Sequence, residues 1–324
     1  MRYVELHAAS AFSFLEGASR PEDLVSRAKE MEMPAIALVD RDGVYGAPRF
    51  HMAAKSVGIH PHVGAEVSVE GFGNRAMPPQ WMPNSFSERP VRLPLLVENR
   101  TGYQNLCRLM TRYKLREKEK GTGTATLEEI AEHAEGLVCL TGGEEGALAA
   151  SLSNHGYDAA QQNVETLTGL FGRKNVYIEL QRHGDIAEER RNQAAVQLAE
   201  TLGLPLLATN GVRYATAAER ELLDVFTCIR NHAKLEMAGR LLERNDERHL
   251  RSTEEMVELF SDLPEAIGNT GELSARLEYT LADLGYEFPR YPVPASETMD
   301  SFLRKRTGGG FSEPLRCETK RGAI

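Results

Sequence analysis

Short apolar runs alternate along the chain with segments whose apolar residues recur every three or four positions. The runs fall at 3–7, 35–39, 62–69, 93–97, 137–140, 176–180 and 204–208. Most are apolar almost throughout, as expected of parallel strands covered on both faces. Helices are predicted between them. Ser19-Arg20-Pro21-Glu22 reads as a capping box with proline in the first turn. Leu24, Val25, Ala28 and Met31 follow at helical spacing, and Pro34 closes the segment. Thr126 with Glu129, and Thr216 with Glu219, form two more capping boxes. Beyond the second, Leu222, Leu223, Phe226 and Ile229 predict one apolar stripe, and 187–202 reads as a long amphipathic helix.

Repeated strand-then-helix units point to a parallel α/β fold. About seven such units favour a TIM-like barrel over a short open sheet, and in a barrel the chemistry sits at the C-terminal ends of the strands. Two stretches break the pattern. Residues 71–90 carry Gly, Asn, Ser and several prolines and read as a long excursion loop. Residues 252–284 read as all helical, so the barrel is expected to end before them.

Composition narrows the class without naming a function. The chain has 324 residues, 41% hydrophobic and 26% charged. That excludes a mostly disordered chain, a collagen-like repeat and a small disulfide scaffold. No apolar run approaches the ~18 residues of a membrane helix, and the N-terminus shows no secretory pattern. Cys107, Cys139, Cys228 and Cys317 lack CxxC spacing and read as reduced thiols of a cytoplasmic protein. The net charge of -9 makes this piece a poor candidate for tight binding of a polyanion.

The polar residues at the strand ends are the candidates for chemistry. The first strand runs into His7-Ala8-Ala9-Ser10, with Glu16 close behind, and the second into Asp40-Arg41-Asp42-Gly43. The third carries Glu66, the sixth ends in Glu179-Leu180-Gln181-Arg182-His183-Gly184, and the seventh in Thr209-Asn210-Gly211-Val212-Arg213. Imidazoles and carboxylates gathered at one mouth are what a hydrolytic metal site requires. By spacing alone the signal is weak, because any barrel puts polar groups there. His60-Pro61-His62 could add a ligand pair or be a polar feature of a strand entrance. His51, His133, His155, His232 and His249 fall on predicted helices or turns and need no function.

The segment YVELHAASAFSFLEGASRPEDLVSRAKEMEMPAIALVDRDGVYGAPRFHMAAKSVGIHPHVGAEV resembles the opening of the PHP (polymerase and histidinol phosphatase) domain of bacterial C-family DNA polymerases. GYQNLCRLMT, GLVCLTGG, ELQRHG, LPLLATN and RSTEEMVELFSDLPEAIGNTGELSARLEYTLADLGYEFPRYPVP extend the resemblance to about residue 307. HAAS, the DRDG turn and FPRYPVP are most similar to the error-prone, damage-induced branch. The resemblance implies a distorted (β/α)7 PHP barrel over 1–250, a helical connector over 251–285 and the start of a polymerase palm over 286–307. A tail over 308–324, expected to be disordered, follows.

Metal-competent members open with His-x-His; here His7 stands but Ala9 replaces the second histidine. Glu16, Asp40 and Glu66 match family ligands, while Arg41 replaces a histidine. Arg92 aligns with a further histidine, Gly143 with a cysteine, and Gly211 and Arg213 with the closing Asp-x-His. His183 is kept. The remaining set His7, Glu16, Asp40, Glu66 and His183 is therefore vestigial, too poor to assume a multinuclear site. An arginine cannot bind a cation, but it can neutralise orphaned carboxylates. Arg41 and Arg213 are thus expected either to hold Glu16, Asp40 or Glu66 in place of metal, or to be ordinary solvated residues.

The resemblance implies an N-terminal part of an error-prone polymerase with a structural barrel. The alternative is an active metal-dependent phosphoesterase, a nuclease or pyrophosphatase; a stand-alone binding protein is a third reading without support in the residues. Magnesium, DNA and deoxynucleotides belong to the palm of the full-length relatives, and the sliding clamp and accessory mutagenesis proteins to their partners; no palm carboxylates are present here and no cofactor is expected. Beyond Thr307 the tail leaves the family pattern. One possible coding of Pro314–Ala323, shifted by a base, reads Arg-Tyr-Gly-Ala-Lys-Arg-Asn-Gly-Ala, which is family-like and suggests a frameshift. A natural short variant is the other possibility. Tyr286, Phe288, Tyr291 and Phe302 are expected to need cover from later elements.

Overall fold

A computed structural model describes residues 2–72, 90–119, 121, 123–284 and 292–310. The chain divides into two compact units, 1–284 and 285–324. The first is a barrel of strands β1 (Glu5–Ala8), β2 (Ala35–Arg41), β3 (His60–Val69), β4 (Val91–Val97), β5 (Leu137–Leu140), β6 (Val176–Leu180) and β7 (Leu206–Ala208), hydrogen-bonded in sequence order. The helices of this unit are α1 (Pro21–Glu30), α2 (Ala47–Val57), α3 (Arg100–Arg116), α4 (Leu127–His133), α5 (Ala147–Asn154), α6 (Tyr157–Phe171), α7 (Ile186–Leu202), α8 (Arg220–Arg230), α9 (Leu235–Ala238), α10 (Thr253–Leu259) and α11 (Pro264–Arg276). In the second unit α12 spans Met299–Gly310.

The sheet is not all parallel. β4 runs antiparallel to both β3 and β5, whereas the other pairs are parallel. β4 lies directly alongside β3, with Gly64 opposite Leu96 and Val69 opposite Val91. Two helices, α3 and α4, then separate β4 from β5, which resumes the common direction and pairs parallel with β6. The start of β4 consequently lies at the same end as the C-terminal ends of its neighbours. That places Arg92 in the barrel mouth, opposite Ser68 of β3.

Strand periodicity divides the core. Ala35, Ala37 and Val39 of β2, Leu96 of β4, Val138 and Leu140 of β5, Tyr177 of β6 and Leu207 of β7 fill the interior. Ile36, Leu38, Leu93, Leu95, Cys139 and Ile178 face the helices. In β1 this alternation breaks. Leu6 lies inside and Ala8 outside, although they are two residues apart, and the pairing with β2 shifts register between Glu5 and Ala8. Such a bulge frees a backbone amide and re-aims a side chain. The Glu5 carboxylate accepts the His7 N–H at 2.8 Å, the Asn210 N–H at 2.9 Å and the Tyr3 hydroxyl at 2.6 Å. It is fully buried, and burial pushes its pKa up to about 7.

The barrel closes at that bulge. Ala9 N–H donates to the Val212 carbonyl at 2.8 Å and Val212 N–H to the His7 carbonyl at 2.9 Å. Below this bridge, α11 fills the seam between β7 and β1. Thr270 Oγ1 accepts the Val4 N–H at 3.1 Å, and Asn269 Nδ2 donates to the Leu206 carbonyl at 2.7 Å. Leu273 and Leu277 complete the interior. The helical segment expected to lie after the barrel thus supplies part of its core. His62, at the same end, is buried, with Nε2 2.7 Å from Ser274 Oγ and its ring 4.8 Å from that of His60.

Helix ends follow the capping signals with one correction. Thr126 with Glu129, and Thr216 with Glu219, cap as expected, the latter across a short 3₁₀ turn (Ala217–Glu219) that leads into α8. At α1 the cap residue is Arg20, whose N–H bonds the Asp23 carboxylate at 3.2 Å. Ser19 instead ties the mouth together, accepting the Ala215 N–H at 2.6 Å and donating to Glu219 at 2.9 Å. The stripe expected on α8 also divides. Leu223 is buried with Thr227 and Cys228, while Leu222, Val225 and Ile229 are exposed. Helical structure runs through Gly310, so disorder from Gly308 onward does not hold for 308–310. Most of the 71–90 loop, Tyr286, Phe288, Tyr291, Cys317 and the tail from 311 lie outside the described residues.

The α11 staple yields a test. Replacing fully buried Thr270 with valine keeps the shape but leaves the Val4 N–H without an acceptor. The variant is expected to lose about 1–3 kcal/mol in urea unfolding, against little change for a substitution at exposed Glu272.

Candidate functional site

The mouth holds a compact lattice of opposite charges. The β1 bulge turns His7 inward, where Nδ1 donates to Glu179 Oε1 at 2.7 Å and Nε2 lies 3.4 Å from Glu66 Oε1. Burial opposes a charged imidazole, but Glu179 and then Glu66 push the His7 pKa up to about 10. His7 is therefore an imidazolium at neutral pH, a cation between two carboxylates. Glu66 is held near about 2: burial would raise it, but His7, Arg92 and Arg213 lower it more.

Arg92 organises the other half. Its Nη1 lies 2.9 Å from Glu16 Oε2 and 3.5 Å from Glu66 Oε2, and its Nε lies 3.3 Å from Glu145 Oε2. The residue is 5% exposed, and despite burial these carboxylates raise its pKa. Glu16 is the most heavily paired acid. It also bonds Arg41, and Arg230 from the end of α8 reaches it at 2.7 Å. Burial is overcome by Arg92, Arg41 and Arg230, which lower its pKa.

Arg213 takes a different partner from any expected. Its Nη1 meets Glu243 at 2.9 Å, and Arg248 shares that carboxylate at 3.5 Å. Asp40 is likewise not held by an arginine. It accepts the Ser10 N–H at 2.7 Å, the Ser10 hydroxyl at 3.0 Å and the Ser13 hydroxyl at 2.8 Å. The expectation that Arg41 and Arg213 hold Glu16, Asp40 or Glu66 is thus corrected in part. Arg41 holds Glu16, Arg92 holds Glu16 and Glu66, serines hold Asp40, and Arg213 acts on Glu66 only at longer range. His183 stands apart, bonded to Glu188 at 2.8 Å and to the Asn210 carbonyl at 2.9 Å.

Glycines Gly143 and Gly211 flank the Gln181 side chain. Its Nε2 donates to Glu179 Oε1 at 2.8 Å, and Thr209 also donates to that oxygen. Among the described residues, no group of three or more His, Cys, Asp or Glu is disposed to hold a metal ion. Both ring nitrogens of His7 face carboxylates, and Ala9 has no donor.

Residues 5–183 match the PHP domain. The chain belongs to the PHP domain family. It is 36% identical over 309 residues to an error-prone DNA polymerase of Mycolicibacterium paratuberculosis, covering 95% of this chain and 28% of that protein. An error-prone DNA polymerase of Anaeromyxobacter dehalogenans is 36% identical over 300 residues, 90% of this chain and 24% of that protein. A DNA polymerase III subunit alpha of Pseudomonas fluorescens is 32% identical over 315 residues, 97% of this chain and 26% of that protein. This PHP chain thus spans about a quarter of the length of these curated relatives. Among solved structures it is similar to an amidohydrolase from Chromobacterium violaceum, with 13% identity and a TM-score of 0.44 over 65% of this chain and 87% of that one. No helix among the described residues is long and apolar enough to cross a membrane.

The strand-end reading of this PHP barrel named His7, Glu16, Arg41, Glu66, Glu179 and Gln181, and the resemblance added Arg92; the fold does bring these together. Neither named Glu145, Arg230, Glu243 or Arg248 as a site residue. Glu179 and Gln181 continue the inward row begun by Tyr177, two residues apart. For Arg230, Glu243 and Arg248 there was no such signal, because they come from helix and loop segments beyond the last strand.

Two outcomes are expected. Arg92→Met should cost about 3 kcal/mol in chemical unfolding, the lower end for a broken buried ion pair, because Arg41 and Arg230 still pair Glu16. The pH dependence has a definite sign. The raised His7 pKa contributes stability that is complete below about 6.5 and is lost as pH rises toward about 10. The depressed Glu66 pKa contributes stability above about 4.5 that is lost as pH falls toward about 2. His7→Asn should therefore flatten the alkaline limb of a melting-temperature profile while leaving an acid limb.

Proposed function

We propose that this chain is the PHP portion of an error-prone C-family DNA polymerase, and that its barrel mouth is a metal-free electrostatic latch with a structural role. The identities to error-prone polymerases over nine-tenths or more of the chain support the first half. DNA and deoxynucleotides are the substrates of that longer protein, and its synthesis chemistry rests on carboxylates outside this chain.

One observation carries the second half. The carboxylates that the family would offer to metal ions are occupied by side-chain cations: Glu16 by Arg41, Arg92 and Arg230, and Glu66 by Arg92 and His7. A metal ion placed among these acids would meet guanidinium charge at ion-pair distance. It would also have to displace the proton that His7 holds between Glu66 and Glu179. The residues present therefore do not fit a metal centre, and no catalytic step is assigned to them. The cations do what a bound metal does for the fold, which is to neutralise part-buried acids contributed by separate strands and loops.

Elemental analysis and melting of the purified chain test this reading. Far less than one equivalent of zinc or manganese is expected, with the same melting temperature before and after dialysis against a chelator. Stoichiometric metal, with chelation lowering the melting temperature, would replace it with the phosphoesterase reading.

A further inference from the structure

We infer that the cleft at the barrel mouth binds a short oligophosphate on a wall of arginines, separate from the ion pairs of the latch. The cleft has a volume of about 1510 Å³. One side of it is built by α7 and by the segment 239–248 that follows α9. That side supplies Arg191, Arg240, Arg244 and Arg248, and Arg213 joins them from the loop after β7. The carboxylates within this wall are already engaged. Asp185 bonds Arg244, Glu188 bonds His183 at 2.8 Å, and Glu243 meets Arg213 at 2.9 Å. Five guanidiniums thus stand against three acids, and one of those acids is committed to a histidine.

The surplus falls on three arginines. Arg191 and Arg240 have no hydrogen-bond or ion-pair partner among the described residues, and Arg191 is half-buried. Arg248 is the sharper case. Its side chain is 11% exposed, yet its nearest acceptor, Gln181 Oε1, lies at 3.4 Å, with Glu243 at 3.5 Å and the well exposed Glu144 at 3.8 Å. A buried guanidinium with five donors and no closer bond is under-satisfied. Burial and the neighbouring Arg213 push its pKa below the ordinary value, the reverse of Arg92 in the latch. An anion seated on this wall would complete the donors of Arg248 and screen it from Arg213.

The chemistry of the wall selects the ligand. Phosphoryl oxygens accept from several guanidiniums at once, and the arginine fork matches them in pairs. Donors spread over α7, the turn after α9 and the Arg213–Arg248 pair call for several linked phosphoryl groups rather than one. A long polyanion is disfavoured. Glu70 and Glu128 line the same cleft from the side of β3 and α4, and the whole chain carries a charge of -9. A short oligophosphate can lie against the basic wall alone. Arg191 and Arg240 take no part in the latch, so the site can be removed without disturbing it.

Isothermal titration of the whole chain with tripolyphosphate at constant ionic strength tests this. Saturable binding at one site per chain is expected, weakening as sodium chloride is raised. Arg191→Gln/Arg240→Gln should raise Kd at least about tenfold. Its melting temperature without ligand should match that of the unaltered chain, because neither residue has a partner to lose. Lys55→Gln/Arg108→Gln removes the same charge from exposed positions outside the cleft and should leave Kd nearly unaltered. Absence of saturable binding would overturn the site. Equal weakening by both double variants would also overturn it, and would assign the binding to diffuse attraction. Deoxyadenosine triphosphate titrated in parallel distinguishes the source. A Kd equal to that of tripolyphosphate supports a free oligophosphate, and a lower one supports a nucleoside triphosphate. Failure here is distinct from failure of the metal-free reading, which is decided by the metal content of the unaltered chain.

Discussion

The pairing of Arg92 with Glu16, Glu66 and Glu145 is the constraint on which the mouth of this barrel depends. These acids come from three separate parts of the chain: the loop after β1, strand β3 and the loop after β5. Each is only partly exposed, so their like charges would repel one another without a cation among them. One guanidinium offers a planar set of donors that can address several carboxylates from a fixed position. Arg92 can do so only because β4 enters the sheet antiparallel, which puts the beginning of that strand, rather than its end, at the mouth.

The same logic joins the mouth to the seam. The bulge in β1 sends His7 inward to Glu179 and Glu66, and the amide it frees is taken up by Glu5. Glu5 in turn holds Asn210, next to the short bridge where the barrel closes. Charge neutralisation inside and closure of the ring are thus parts of one hydrogen-bonded network. α11 completes it from the other end by satisfying the polar edges of β1 and β7. A barrel whose last strand is three residues long needs that help, because a ladder so short cannot close the sheet alone.

Side-chain cations and metal ions neutralise clustered acids in different ways. A metal ion concentrates charge at a point and demands donors in fixed geometry. Several guanidiniums spread the same neutralisation over a larger volume and tolerate inexact placement. Clustered acids therefore do not by themselves imply a metal, since arginines at ion-pair distance account for them as well.

The hydrophobic pattern was legible almost strand by strand, with 137–140 and 176–180 matching to the residue. That follows because burial on both faces requires continuous apolar runs, and such runs are a local property of sequence. Capping at Thr126 and Thr216 was legible for the same reason. Strand direction at β4 was not, since an apolar run reads alike in either orientation. Nor was the partner of each arginine, because ion pairs join residues far apart in the chain. Arg213 could not be assigned to Glu243, or Arg230 to Glu16, until the loops were in place. By itself the sequence determined the seven strands and the family. Tertiary structure alone decided which acid each cation meets, because that depends on which side chains converge, and convergence is not written in any one segment.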